Sequence, residues 1–182
     1  MQIAQSKTRE EFPLSTKKIV KKTIVGTLVW VILLLVIWGV LAASLNLGNN
    51  SGSWLGAASV GIFGLVLLLL LITYLYQRWY YAVYFYDLTP DYIVIRKGPI
   101  TPQEITIPYE RVQDVYVDQD LFDRIFGLYD VHLSSATISS GMAAHIDGVE
   151  KPAMDGLRGM LLKTINERIS KKRVPTPPQV QQ

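Results

Sequence analysis

Cysteine is absent from all 182 residues, which excludes disulfides, thiolate nucleophiles and cysteine-bound metals. Charge is absent over a longer stretch than any water-facing fold tolerates: from Thr23 to Gln77 there is no Asp, Glu, Lys, Arg or His. A soluble core segment seldom runs so far uncharged, because some face of it must meet water. Histidine occurs only twice, as His132 and His145. There is no Gly-x-Ser-x-Gly elbow, no Gly-rich phosphate loop and no internal repeat. An enzyme is therefore not expected.

The charge that is present is unevenly placed. Residues 1–22 carry six basic and two acidic residues, a net +4, whereas from Arg78 onward twelve basic residues stand against thirteen acidic ones. The overall +3 thus belongs to the amino-terminal segment. The remainder shows no basic face, so nucleic acid is not an expected partner.

Two apolar spans fit the uncharged stretch, at about 24–45 and 55–76. Each has roughly 20 residues, enough at about 1.5 Å per residue to cross a ~30 Å hydrocarbon core, where the backbone must be helical. The first is too long for a signal peptide and a second follows it. Lys17, Lys18, Lys21 and Lys22 precede the first span and Arg78 follows the second. The positive-inside rule then puts both termini in the cytoplasm of a multi-pass cell-membrane protein. Gly39 and Ala43 on the first span, with Ala57, Gly61 and Gly64 on the second, are expected to pack the two helices into a hairpin.

After Arg78 the pattern changes to short runs rich in aromatic and β-branched residues. YYAVYFYDLT, YIVIRKG, EITIP, VQDVYV and YDVHLSSA read as strands, punctuated by Pro90-Asp91, Gly98-Pro99 and Pro108. Asp120 is placed to cap a helical turn that Gly127 ends, with Leu121, Phe122, Ile125 and Phe126 plugging the sheet. Residues 137–149, TISSGMAAHIDGV, read as a loop or turn leading to a further strand, with His145 in the loop. Met154, Leu157, Leu161, Ile165 and Ile169 recur at helical spacing. The expected organisation is a basic segment at 1–22, a two-helix hairpin at 23–77, and an α+β domain at 78–173. That domain is a small antiparallel barrel or sandwich closed by an amphipathic helix, and a proline-rich tail at 174–182 is disordered.

In this order the motifs resemble the bacterial pleckstrin-homology-like (PH-like) membrane proteins of the YdbS-like type. The resemblance runs through Tyr86-Asp87-Leu88-Thr89, Tyr92-Ile93-Val94-Ile95, and Ile107-Pro108-Tyr109-Glu110-Arg111-Val112-Gln113-Asp114-Val115. It is strongest in Arg124-Ile125-Phe126-Gly127-Leu128-Tyr129-Asp130-Val131 and ends at Ile146-Asp147-Gly148-Val149. It implies a seven-stranded PH-like fold with a closing helix, no catalysis and no cofactor.

His132 and His145 are read as structural, because neither has an established metal-ligand spacing to Asp147 or Glu150. The run Asp114, Asp118, Asp120, Asp123 lacks the glycine and terminal glutamate of a calcium loop. Lys17, Lys18, Lys21 and Lys22, joined by Lys171, Lys172 and Arg173, are candidate contacts for anionic headgroups. The expected function is a membrane-anchored binding or scaffold module engaging lipid or a protein partner. The rival reading is a structural subunit of a larger homo- or hetero-oligomeric membrane complex.

Overall fold

The computed structural model describes residues 6–46, 53–135 and 144–173. The tail at 174–182 and residues 137–143 of the expected loop lie outside them, while His145, expected in that loop, opens a strand. The described chain forms two units, residues 19–82 and, separately, residues 1–18 with 83–182.

The first unit consists of helices α2 (Lys17–Asn46) and α3 (Ser53–Val83), each long and apolar enough to cross a membrane. Almost none of the most apolar stretch of α2, and none of that of α3, is buried. Polar groups are satisfied within the helix: Thr23 Oγ1 donates to the carbonyl of Ile19 at 2.7 Å, and Thr27 Oγ1 to that of Thr23 at 2.8 Å. The close approach is at Gly26, where a Cβ would stand 3.6 Å from Thr73 Cγ2. At Gly39, Gly61 and Gly64 a Cβ would meet nothing within 4 Å, and Ala43 and Ala57 are exposed. The small residues expected to join the helices thus face open space, and one glycine nearer the start of α2 takes that part. Helix α3 also runs further than the pattern indicated, taking Tyr80–Val83 out of the expected first strand.

The second unit holds two three-stranded antiparallel sheets. One has the order β1 (Phe85–Leu88), β2 (Tyr92–Lys97), β3 (Gln103–Pro108); the other has β4 (Val112–Asp118), β5 (Leu128–Ser135), β6 (His145–Glu150). A 3-10 turn at Tyr109–Arg111 joins them. The described residues thus supply six strands rather than seven. Alternation sends Tyr84, Tyr86, Ile93, Ile95 and Ile107 from one side, and Leu128, Val131, Leu133 and Ile146 from the other, into one core. Helix α5 (Lys151–Arg173) closes it with Met154, Leu157, Leu161 and Ile165, all buried.

Short helix α4 (Leu121–Phe126) begins where Asp120 accepts the Asp123 amide and ends at Gly127, whose φ of +67° is the left-handed cap expected of it. Its apolar residues divide. Phe122 and Phe126 are half-buried, but Leu121 and Ile125 are 72% and 71% exposed. They do not plug the sheet, because a six-residue helix can turn only one edge inward.

The basic segment read as separate is built into this unit. Helix α1 (Lys7–Glu11) lies along β1: Ser6 Oγ donates to the Tyr86 carbonyl at 2.6 Å and Thr8 Oγ1 to Asp87 Oδ1 at 2.8 Å. The Tyr86 hydroxyl donates to the Phe12 carbonyl, and the Phe12 ring occupies the space a side chain at Gly156 of α5 would need. Leu14 then pairs with Val149, and the Ser15 amide donates to the Gly148 carbonyl at 2.9 Å. One strap therefore covers the outer edges of both β1 and β6, the unpaired N–H and C=O rows that an edge strand otherwise presents.

Candidate functional site

The polar chemistry of the β unit collects on the face of β4–β5–β6 turned away from the core. Strand alternation alone would not bring Asp130 and His132 there together with Leu128 buried; a bulge between Tyr129 and Val131 resets the period. Asp130 then faces Asp118 across β4, and His132 faces Tyr116. The His132 ring is stacked at 4.8 Å on Tyr116 and at 5.3 Å on His145, so three strands contribute one aromatic row. Asp118 Oδ1 lies 3.1 Å from His132 Nε2.

Beside that row lies an acidic pair capped by a lysine. Asp130 Oδ1 accepts the Gly148 amide at 2.7 Å and its carboxyl is hydrogen-bonded to Asp147. Lys18 Nζ stands 3.1 Å from Asp147 Oδ2, donates to the Asp147 carbonyl at 2.7 Å, and sits 4.4 Å above the Tyr84 ring. Its methylenes lie on Gly148, at φ +80°, where a Cβ would fall 2.6 Å from Lys18 Cδ.

Burial, then the charge and hydrogen bond of Asp147, push the Asp130 carboxyl up to about 7; the Gly148 amide opposes this and Asp123 adds to it. Burial and the nearby Lys97 lower His145 to about 4, so its ring is neutral at pH 7; Asp147 opposes that shift, while His132 and Lys18 reinforce it. Glu150 is lowered by hydrogen bonds from Lys17 and Ser15. In the turn that joins the sheets, burial lifts Tyr109 to about 12 while its hydroxyl donates to the Thr89 carbonyl at 2.9 Å.

The outer face of β1–β2–β3 carries an open groove of about 310 Å³ lined by Phe85, Thr89, Tyr92, Val94, Arg96 and Glu104, among others. Arg96 Nε donates to Glu104 Oε2 at 2.6 Å, with its guanidinium 5.5 Å from the Phe85 ring. The groove thus offers aromatic and aliphatic surface framed by an internal ion pair. Among the described residues, the Ser134 hydroxyl is directed at Asp114, at 3.4 Å, rather than at an imidazole.

Across this whole arrangement, residues 18–165 match the model of the bacterial PH domain, a stretch that takes in both long helices and both sheets. The chain belongs to the bacterial PH domain family. No curated protein and no solved structure matches it.

For this bacterial PH domain protein the basic residues singled out in the sequence fall into different environments. Lys17 is exposed and pairs with Glu150 at 3.1 Å. Lys18 is buried on Asp147 and is not available to a headgroup, because the buried carboxylate needs a cation beside it. Lys21 is buried as well, and Lys22 is partly exposed. Lys171, Lys172 and Arg173 form the last residues of α5, and their side chains lie outside the described residues. What the sequence reading missed is the strap itself. The signal was Phe12 and Leu14, two apolar side chains within a segment whose lysines alone had been explained.

Proposed function

We propose that this protein is a non-catalytic binding module anchored by two membrane-crossing helices, with its PH-like domain and both termini on the cytoplasmic side. One observation carries the reading. Twelve large apolar side chains of α2 and eleven of α3 are more than a third exposed. With about half of each side chain exposed, leaving it in water forgoes about 1 kcal/mol, so the two helices together would outweigh the roughly 5–15 kcal/mol stability of a whole domain. Lipid removes that cost. Lys17, Lys21, Lys22 and Arg78 flank the apolar stretches on the side the positive-inside rule assigns to the cytoplasm. Alkaline carbonate tests the anchoring: the full chain stays in the pellet, and its release would end the reading. Protease applied to right-side-out vesicles should leave both terminal tags intact.

The partner is read as a protein engaged through the β1–β2–β3 groove. Lys17 and Lys18 are held by acidic residues of their own domain, which argues against a basic lipid-binding face, while the groove offers aromatic surface. Tethering raises the local concentration of the groove at the membrane, so weak contacts suffice. A photo-crosslinker replacing Tyr92 in the full chain, irradiated in native membranes, should yield a discrete protein adduct. Lipid adducts alone would return the reading to headgroups, and no adduct would remove the groove from it.

A second reading has its own observation: the open faces at Gly39, Gly61 and Gly64. Small residues that pack nothing within the chain suit a helix of another membrane subunit. Crosslinks from Gly61 to a second polypeptide would support it, and intramolecular products alone would count against it.

A further inference from the structure

We propose that Asp118, Asp130 and His132 form a binding site for a divalent transition-metal ion. One donor atom from each lies within 4.8 Å of the others. The Asp118 Oδ1 to His132 Nε2 edge, at 3.1 Å, is already the spacing of two neighbouring ligands around an ion with bonds of about 2.0–2.2 Å. Asp130 supplies the third donor within that 4.8 Å, from its register position opposite Asp118.

Charge favours a cation there. Among the described residues, the interactions of Asp118 and Asp130 include no lysine or arginine ion pair: Lys18 goes to Asp147 and Lys17 to Glu150. A ligating carboxyl must be deprotonated, so a dication bound there takes the place of any proton that Asp130 carries. The donors are also preorganised. His132 is clamped between the Tyr116 and His145 rings, and the Gly148 amide holds Asp130 Oδ1 in the manner of an outer-sphere hydrogen bond to a ligating carboxylate. Asp118 has 58% of its side chain exposed, which gives the ion a path in and leaves its remaining positions to water.

One imidazole nitrogen and two carboxylate oxygens, without sulfur, suit zinc, manganese or cobalt rather than calcium, whose ligands are all oxygens. Bound there, the ion pins the end of β4 to β5. The simpler arrangement, an ion pair between Asp118 and His132, predicts no affinity for metals.

The test is a titration of the full chain in detergent, stripped with chelator, using Zn²⁺ and Mn²⁺ by calorimetry and Co²⁺ by its visible absorption. One ion per chain is expected, with an imidazole-type shift in the cobalt spectrum. Asp118→Asn, at an exposed position that does not hold the fold together, should weaken binding by about tenfold or more, and His132→Gln should do the same. Asp114→Asn, on the same face but outside the triad, should leave it unchanged. Absence of saturable binding by all three ions, or affinity that Asp118→Asn and His132→Gln leave intact, overturns the proposal.

Discussion

Lys18 and Asp147 form an ion pair at 3.1 Å with only 4% and 8% of their side chains exposed. The lysine opens the first long helix, and the aspartate lies in the last strand. Removing either partner leaves a buried charge unmatched, which costs about 3–5 kcal/mol. Lys18→Met should therefore lower the denaturation midpoint of the β unit sharply. The doubly substituted Lys18→Met/Asp147→Asn should recover part of the loss, because no uncompensated charge remains. Equal losses in the single and double variants, measured by a denaturant cycle, would show the pair to be uncoupled.

Gly148 links the strap to that pair in a second way. Its φ of +80° already disfavours any side chain, and a Cβ would collide with the Lys18 methylenes at 2.6 Å. The backbone conformation alone costs a non-glycine residue about 1–2 kcal/mol. Gly148→Ala should exceed that figure, and the excess should fall in a Lys18→Met background if the collision is its source. Gly127 provides the comparison. Its φ is +67° but a Cβ there meets nothing, so Gly127→Ala should cost the backbone increment only.

Much of this fold is legible in the sequence because its signals are local. The 3.6-residue spacing of Met154, Leu157, Leu161 and Ile165 needs no knowledge of what α5 covers, and the cap at Asp120 with the stop at Gly127 is complete within eight residues. What escaped notice is long-range. Ser6 and Thr8 bond to residues some 80 positions away, so nothing near them announces a strap. Asp118, Asp130 and His132 converge only through a register that a bulge adjusts. A one-residue offset would have placed them on opposite faces, and sequence periodicity does not report bulges.

The exposed pair on α4 separates what the fold needs from what it tolerates. Leu121 and Ile125 are more than two-thirds exposed, whereas Leu133 is fully buried. Replacing either exposed residue with glutamine should shift stability by no more than about 0.5 kcal/mol, against about 2–5 kcal/mol for Leu133→Ala. Chemical denaturation of the three variants checks this. A large loss at Leu121 or Ile125 would mean that α4 packs inward after all.

The stability of the β unit should depend on pH through two groups of opposite sign, measured on chelator-treated protein. Asp130 is raised from 3.8 to about 7. The folded state therefore holds its proton more tightly than the unfolded chain, and its contribution is fully present below about pH 4 and lost as pH rises to 7. His145 is lowered from 6.5 to about 4. Here the unfolded chain binds the proton more tightly, so stability is lost as pH falls from about 6.5 to 4. Over that shared window the two slopes oppose, and the denaturation midpoint of the wild-type chain should change little. Asp130→Asn should expose the histidine term as a midpoint that climbs between pH 4 and 6.5. His145→Gln should expose the carboxyl term as a midpoint that falls up to pH 7. Each change should be on the order of a few kcal/mol. Parallel pH profiles for all three chains would mean that neither group titrates differently in the fold.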